Sequence, residues 1–378
     1  MLETRMRAYP MDPKPVLLIA AGGTGGHMFP AQALAWEFQE LGWNVVLVTD
    51  KRGEKFSKTF PPKIIKFIQS SATFSFKNPL RMPKALCLIL VSILQASWVF
   101  IKIRPKVVIG FGGYPSFASI LVAKVFKIKS IIHEQNAVLG RVNKFFSKSV
   151  TAVACSFWPT QAPSGTKMYF TGNPIRNTVV DKGPSIFNLP LTGPLNLVVI
   201  GGSQGANIFS RLLPEAVETL PVKLRNRLRI THQARLPDCR ELRQSYEKLG
   251  VKATVEDFFQ NVERIFSSAH LIVARAGAST IAEVLFLGRP LLLVPIPFSL
   301  GDHQKINAQR ISDMGAAICL EQKGLTGKQL AREIRYILTS RRLAHDLANT
   351  AAKKATPQAI KNLKDLIISV SEGGLSAK

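Results

Sequence analysis

The chain has 378 residues, 46% hydrophobic and 20% charged, which is long enough for two domains and apolar enough to give each a core. That excludes a disordered tail, and ordinary Gly and Pro contents exclude collagen-like or low-complexity sequence. The net charge of +26 points to an anionic partner: a nucleic acid, a phosphorylated substrate or an acidic membrane surface.

Residues 1–13 carry two arginines but no apolar run, and are expected to form a disordered lead to a cytoplasmic chain. Cys87, Cys155, Cys239 and Cys319 lie far apart with no C-x-x-C pair. They argue against a zinc ribbon or disulfide scaffold and are expected to be isolated buried thiols.

The apolar run Val16–Ala21 predicts a strand that turns through Gly22-Gly23-Thr24-Gly25-Gly26-His27 into a helix. Glycines let backbone approach a ligand there, and a helix N-terminus offers free N–H groups to an anion. The turn lacks the dinucleotide G-x-G-x-x-G pattern, a clearly placed partner acid and the P-loop G-K-[ST], so it also reads as a plain tight turn. His27 sits where the helix dipole favours neutral imidazole. It is either a general base or a side chain bonded to the turn.

Asn44–Val48 predicts the next strand, after which Lys51–Lys129 holds fifteen basic residues against one acid, Glu54. Inside that basic field, Ala85–Ile101 runs seventeen residues without a charge. A spanning helix needs about 20 apolar residues. The run therefore reads as a packed helix of an α/β domain, as a helix dipping one face into a headgroup layer, or, least well, as a span. Nucleic acid is the other partner for such charge, but neither aromatic interleaving nor a known binding motif accompanies it.

Val107–Ile109 predicts a strand entering a second Gly-rich turn, Gly110–Ser116, whose Tyr114 either bonds a polar substrate or packs under the loop. Ser130–Ile132 leads to His133-Glu134-Gln135-Asn136, polar residues at a strand's C-terminal end that are expected to face a crevice. Gly172-Asn173-Pro174 marks the domain boundary, and Arg176 beside it offers a fork to a phosphate or a loop.

The second half repeats the first. Leu195–Ile200 enters Gly201-Gly202-Ser203-Gln204-Gly205, and Leu271–Ala274 enters Arg275–Glu283. Ser279 and Thr280 open a helix with unpaired N–H groups, and Glu283 follows one turn later on the same face. A diphosphate at the helix mouth with a carboxylate acceptor beyond it suits a nucleotide with ribose hydroxyls. After a strand at Leu291–Val294, residues 301–308 form a polar loop expected to face the same cleft. The pattern predicts two doubly wound parallel α/β domains, 14–172 and 173–345, with a helix and tail at 346–378.

GGTGGH, GFGGYPS, HEQN, TGNPIR, GGSQGA, ARAGASTIAE and DHQKINA, in this order between Gly22 and Ala308, resemble the MurG family of N-acetylglucosaminyltransferases in glycosyltransferase family 28. The resemblance implies a GT-B fold with an N-terminal acceptor and membrane-binding domain and a C-terminal UDP-GlcNAc-binding domain. The implied reaction is inverting transfer of GlcNAc to the C4 hydroxyl of undecaprenyl-diphospho-muramoylpentapeptide. It places Thr24, Gly25, Gly26, Asn136, Arg176, Ser203, Ser279, Thr280 and Gln304 at the donor and Glu283 at the ribose. His27 becomes the candidate base, with Tyr114 and Glu134 as acceptor-side or supporting groups. No cofactor or metal is implied, and no acidic D-x-D cluster is present.

The implied partners are UDP-GlcNAc, the lipid-linked acceptor, an anionic membrane surface and cell-wall synthesis proteins, with no nucleic acid. The implied location is peripheral, at the cytoplasmic face of the bacterial inner membrane. Two rivals use the same motifs: a GT-B enzyme with another glycolipid acceptor, and a nucleotide-sugar-binding regulator without turnover.

Overall fold

The computed structural model describes residues 14–70, 82–202 and 206–374. The expected lead, 1–13, and Ser203 lie outside them.

Seven strands form the first sheet: β1 (Val16–Ala20), β2 (Asn44–Thr49), β3 (Ile65–Ile68), β4 (Val107–Gly110), β5 (Ser130–Glu134), β6 (Ala152–Cys155) and β7 (Met168–Phe170). The second sheet holds β8 (Leu195–Ile200), β9 (Leu228–Gln233), β10 (Lys252–Glu256), β11 (Leu271–Ala274), β12 (Leu291–Leu293) and β13 (Ile318–Cys319). Every pairing is parallel, in the orders β3-β2-β1-β4-β5-β6-β7 and β10-β9-β8-β11-β12-β13. Both sheets reverse direction beside their first strand, between β1 and β4 and between β8 and β11. The crevice at such a switch point, outside the strands' carboxyl ends, is where doubly wound sheets bind ligands. The two N-terminal Gly-rich turns follow β1 and β4 and therefore meet there.

Helices cover both faces of each sheet, so β1, β4 and β11 are buried runs of aliphatic residues without alternation. Four apolar clusters result, one on each face of each sheet.

The expected C-terminal unit 346–378 divides between the domains. Helix Arg341–Lys354 buries Ala344, Leu347 and Ala348 in the second domain. Helix Ala359–Glu372 returns to the first, where Leu363, Leu366, Ile367 and Val370 join Leu17, Leu34 and Ile109. Lys364 Nζ donates to Glu37 at 2.6 Å, and Asn362 Nδ2 donates to the Thr171 carbonyl at 3.2 Å. The last helix thus straps the two halves together. Leu363→Ala should therefore lower stability by about 2–5 kcal/mol through lost burial and a residual cavity, and urea unfolding of the full chain measures it.

Helix Met82–Ile103 is longer than its uncharged run. By length and composition it could cross a membrane, yet one stripe of it is core: Ala96, Val99 and Phe100 pack with Leu18, Val46 and Ile120. The opposite stripe is open, with Leu90 62%, Leu94 70% and Ile101 60% exposed. Cys87 lies on that exposed helix, against the expectation of four buried thiols; Cys155 and Cys239 are buried and Cys319 is intermediate. The cause is that only half of an all-apolar helix finds a partner in this domain.

Candidate active site

The turn after β1 is built by groups from two neighbouring strands. Asp50, at the end of β2 and 1% exposed, accepts from Gly23 N–H at 3.1 Å and Gly53 N–H at 2.8 Å. Asp50 is thus a structural acid of this turn that the motif pattern does not single out. Its signal was an aspartate ending a β-branched strand ahead of a helix start. From the β4 side, Ser116 Oγ donates to the Ala20 carbonyl at 2.8 Å and accepts from Gly112 N–H at 3.0 Å.

Close approach explains the glycines. A Cβ on Gly22 would lie 2.6 Å from Pro115. One on Gly113, whose φ is +79°, would lie 3.0 Å from the Gly22 carbonyl oxygen. No residue with a side chain joins the two loops at this distance.

His27 stands over the β4 loop, its Nε2 3.1 Å from where a Cβ on Gly112 would be. Its Nδ1–H donates to the Gly22 carbonyl at 2.9 Å. A carbonyl only accepts, so Nδ1 carries the proton and the neutral ring presents an unprotonated Nε2. Burial pushes the His27 pKa below 6.5, more than the Gly22 carbonyl and the Glu134 and Asp50 carboxylates raise it. The bond to the turn and the capacity to act as a base therefore coexist. Tyr114 is half-buried and opens helix Tyr114–Val125, directly after the Gly112-Gly113 turn that His27 overlies.

The HEQN residues differ from expectation, because His133, Glu134 and Gln135 are interior rather than crevice-facing, at 0%, 1% and 3% exposure. Glu134 Oε1 accepts from Asn136 N–H and Nδ2, and Oε2 accepts from Gly140 N–H and Asn143 Nδ2, all within 3.0 Å. A carboxylate so surrounded shapes the 134–140 turn, and it is close enough to His27 to raise that ring's pKa against burial. His133 Nε2–H donates to the Gly172 carbonyl at 3.1 Å, Nδ1 accepts from Gln135 Nε2, and burial lowers its pKa to about 4. The distant carbonyls of Gly172 and Phe111 satisfy His133 and Gln135, a long-range arrangement the local pattern does not carry, whereas the N–H donors to Glu134 are local.

Asn136 is half-buried and links the domains, its Oδ1 accepting from Asn307 Nδ2 at 3.0 Å. Asn307 also accepts from Ala137 N–H at 2.9 Å and donates to the Ala276 carbonyl at 3.1 Å. Within the 301–308 loop, Asn307 is fully buried and Lys305 pairs with Glu321 at 2.8 Å on the surface, so neither lies open in the cleft as expected. Gln304 Oε1 accepts from Ile296 N–H at 3.1 Å.

Across the cleft, helix Ala278–Phe286 begins without a side-chain cap, as does helix Gly25–Glu40. Ser279 Oγ donates to the Gly26 carbonyl at 3.3 Å. Two helix N-termini, one from each domain, therefore converge on Thr24–Gly26 and Ser279–Thr280, an arrangement that favours anionic oxygens. Arg176 lies beside them. Its fork donates to Glu283, Nε to Oε1 at 2.6 Å and Nη2 to Oε2 at 2.5 Å, while its guanidinium stacks 4.6 Å from the Phe29 ring centroid. The residues expected at phosphate and ribose thus hold each other. Each Glu283 oxygen keeps a second lone pair for a hydroxyl.

The family description "Glycosyltransferase family 28 N-terminal domain" matches residues 17–155, and "Glycosyltransferase family 28 C-terminal domain" matches residues 196–365. The chain belongs to glycosyltransferase family 28. Among family-28 relatives, the UDP-N-acetylglucosamine--N-acetylmuramyl-(pentapeptide) pyrophosphoryl-undecaprenol N-acetylglucosamine transferase of Allorhizobium ampelinum is 40% identical, covering 95% of this chain and 96% of its own. The enzyme of the same name from Paramagnetospirillum magneticum is 39% identical over 94% and 96%. The crystal structure of Acinetobacter baumannii MurG superposes with a TM-score of 0.75 at 29% identity, covering 94% of this chain and all of that one. A structure of Staphylococcus aureus MnaA with UDP, at 12% identity and a TM-score of 0.65, shares the fold. The family-28 halves meet where the two switch-point crevices face each other, at the convergent helix ends described above.

Proposed function

We propose that this chain transfers GlcNAc from UDP-GlcNAc to the C4 hydroxyl of undecaprenyl-diphospho-N-acetylmuramoyl-pentapeptide, with inversion at the anomeric carbon. The observation that carries it is that the likeness to relatives so named runs through both domains, acceptor side and donor side alike. His27 Nε2 removes the C4 hydroxyl proton as that oxygen attacks C1 of GlcNAc. The bond from C1 to the β-phosphate oxygen breaks, and UDP leaves with the electron pair. The charge growing on UDP is met by the N-termini at Thr24–Gly26 and Ser279–Thr280 and by Arg176. Glu283, oriented by Arg176, accepts from the ribose hydroxyls. These groups act without a cation, and no cofactor takes part.

The test is transfer of labelled GlcNAc to the lipid-linked muramoylpentapeptide with EDTA present. Product is expected. Donor binding without transfer would overturn the acceptor assignment, and activity abolished by EDTA would overturn metal independence.

The open face of helix Met82–Ile103 supports docking on the cytoplasmic face of the inner membrane. Leu90, Leu94, Trp98 and Ile101 are exposed, Lys102 lies 4.7 Å from the Trp98 ring, and Arg104, Lys106, Lys124 and Lys127 are exposed nearby. Apolar insertion joined to attraction by anionic lipid gives stable peripheral binding, which neither gives alone. Burying a leucine contributes about 1.5–3 kcal/mol, so Leu90→Glu with Leu94→Glu should weaken binding to phosphatidylglycerol vesicles at least tenfold. Both sites are exposed, so thermal stability should hardly change.

A further inference from the structure

Asp50 and His27 lie on opposite sides of one peptide unit. Asp50 Oδ1 accepts from Gly23 N–H at 3.1 Å, and the carbonyl of that same unit, the Gly22 carbonyl, accepts from His27 Nδ1–H at 2.9 Å. In a trans peptide the N–H and C=O point in opposite directions, so a rigid plane joins the carboxylate to the imidazole. A hydrogen bond to the N–H shifts electron density toward the carbonyl oxygen and makes it a stronger acceptor.

The charge at this position is the informative feature. Asp50 is buried, and its backbone bonds to Gly23 and Gly53 are bonds that a neutral asparagine also makes at a helix start. Burying a carboxylate instead is costly. Its ion-pair partner Arg52, 3.3 Å from Oδ2, is 58% exposed and compensates little. A fixed negative charge is useful where a cation forms, and the reaction proposed above forms one, the His27 imidazolium.

We propose that Asp50 is a positioning residue that acts on His27 through the Gly22–Gly23 peptide. It fixes the plane of the unit that holds Nδ1, and its charge stabilises the imidazolium formed when Nε2 takes the acceptor proton. No proton travels along the link, and Nδ1 keeps its own throughout. Burial lowers the His27 pKa most, and His303, which opens helix His303–Asp313 in the second domain, lowers it further. The Gly22 carbonyl, Glu134 at the end of β5 and Asp50 at the end of β2 raise it. The effect on turnover rests on the reaction proposed above, whereas the effect on the ring does not.

The decisive variant is Asp50→Asn, which keeps an acceptor for both N–H groups and removes only the charge. Titration of the His27 ring by ¹⁵N NMR on the full chain, with His27→Asn assigning the signal, should give a lower pKa than in the wild type. Arg52→Gln takes the cation from Oδ2 at an exposed position and should raise it, which decides the matter if Asp50→Asn does not fold. In Asp50→Asn, kcat should fall about tenfold, the lower end of what a charged hydrogen bond contributes, with UDP-GlcNAc affinity near wild type. The acidic limb of kcat/KM should move to lower pH. In the His27→Asn background the same replacement should cost nothing further, because the two residues act as one unit. A ring pKa unchanged in both variants overturns the link. A lowered ring pKa with wild-type kcat overturns its part in turnover. Absence of transfer by the wild type overturns the reaction instead, and the ring titration still decides the link.

Discussion

Replacing His27 with Asn is expected to lower kcat by about 10²–10⁴-fold, the usual contribution of a positioned general base, while UDP-GlcNAc affinity stays near wild type. Asn keeps a donor for the Gly22 carbonyl, which His27 engages at 2.9 Å, so the turn is preserved and only the basic Nε2 is lost. Isothermal titration with UDP-GlcNAc beside steady-state rates separates the two effects. Equal losses in affinity and turnover would make His27 a binding residue instead. The pH profile is a second check with a definite sign. The base must be neutral, and burial holds its pKa below 6.5. The acidic limb of kcat/KM should therefore fall below pH 6.5 in the wild type, with activity lost as pH drops through it, and should vanish from the residual rate of His27→Asn.

Glu283→Gln is expected to be the most damaging single change for stability and donor binding together. The carboxylate is 2% exposed and Arg176 16%, so removing the negative charge leaves a guanidinium largely buried without its partner. Breaking a buried pair costs about 3–5 kcal/mol, and the remaining exposure of Arg176 brings the expectation to about 3 kcal/mol. Scanning calorimetry should show a fall in Tm of several degrees. UDP-GlcNAc affinity should drop about 10–100-fold, the loss of a charged hydrogen bond to a hydroxyl. Adding Arg176→Met to Glu283→Gln should restore most of the stability, since an apolar replacement of both partners leaves no uncompensated charge, but not the affinity. Wild-type stability in Glu283→Gln would show that the pair does not hold the hinge to the donor helix.

The four glycine-rich loops were legible because their information is local. An aliphatic run, a turn without side chains and a helical period are all encoded within about twenty residues, and β1, β4, β8 and β11 appear where that pattern sets them. The same locality misled at His133–Gln135. A polar run at the end of a strand suggests a crevice, but the carbonyls that bind His133 and Gln135 come from Gly172 and Phe111, far away in the chain. Asp50 was missed because its partner, Gly23, stands in the turn after another strand.

Sequence alone determined the doubly wound architecture, the family and the short list of residues near the cleft, since each rests on periodicity or on motifs a few residues long. Tertiary structure decided what those residues do. It made Glu134 a strut, paired Arg176 with Glu283 across the hinge, returned helix Ala359–Glu372 to the first domain and left one face of helix Met82–Ile103 uncovered. Whether a polar group meets solvent, substrate or another side chain depends on which distant segments arrive beside it. Only the packed chain fixes those arrivals.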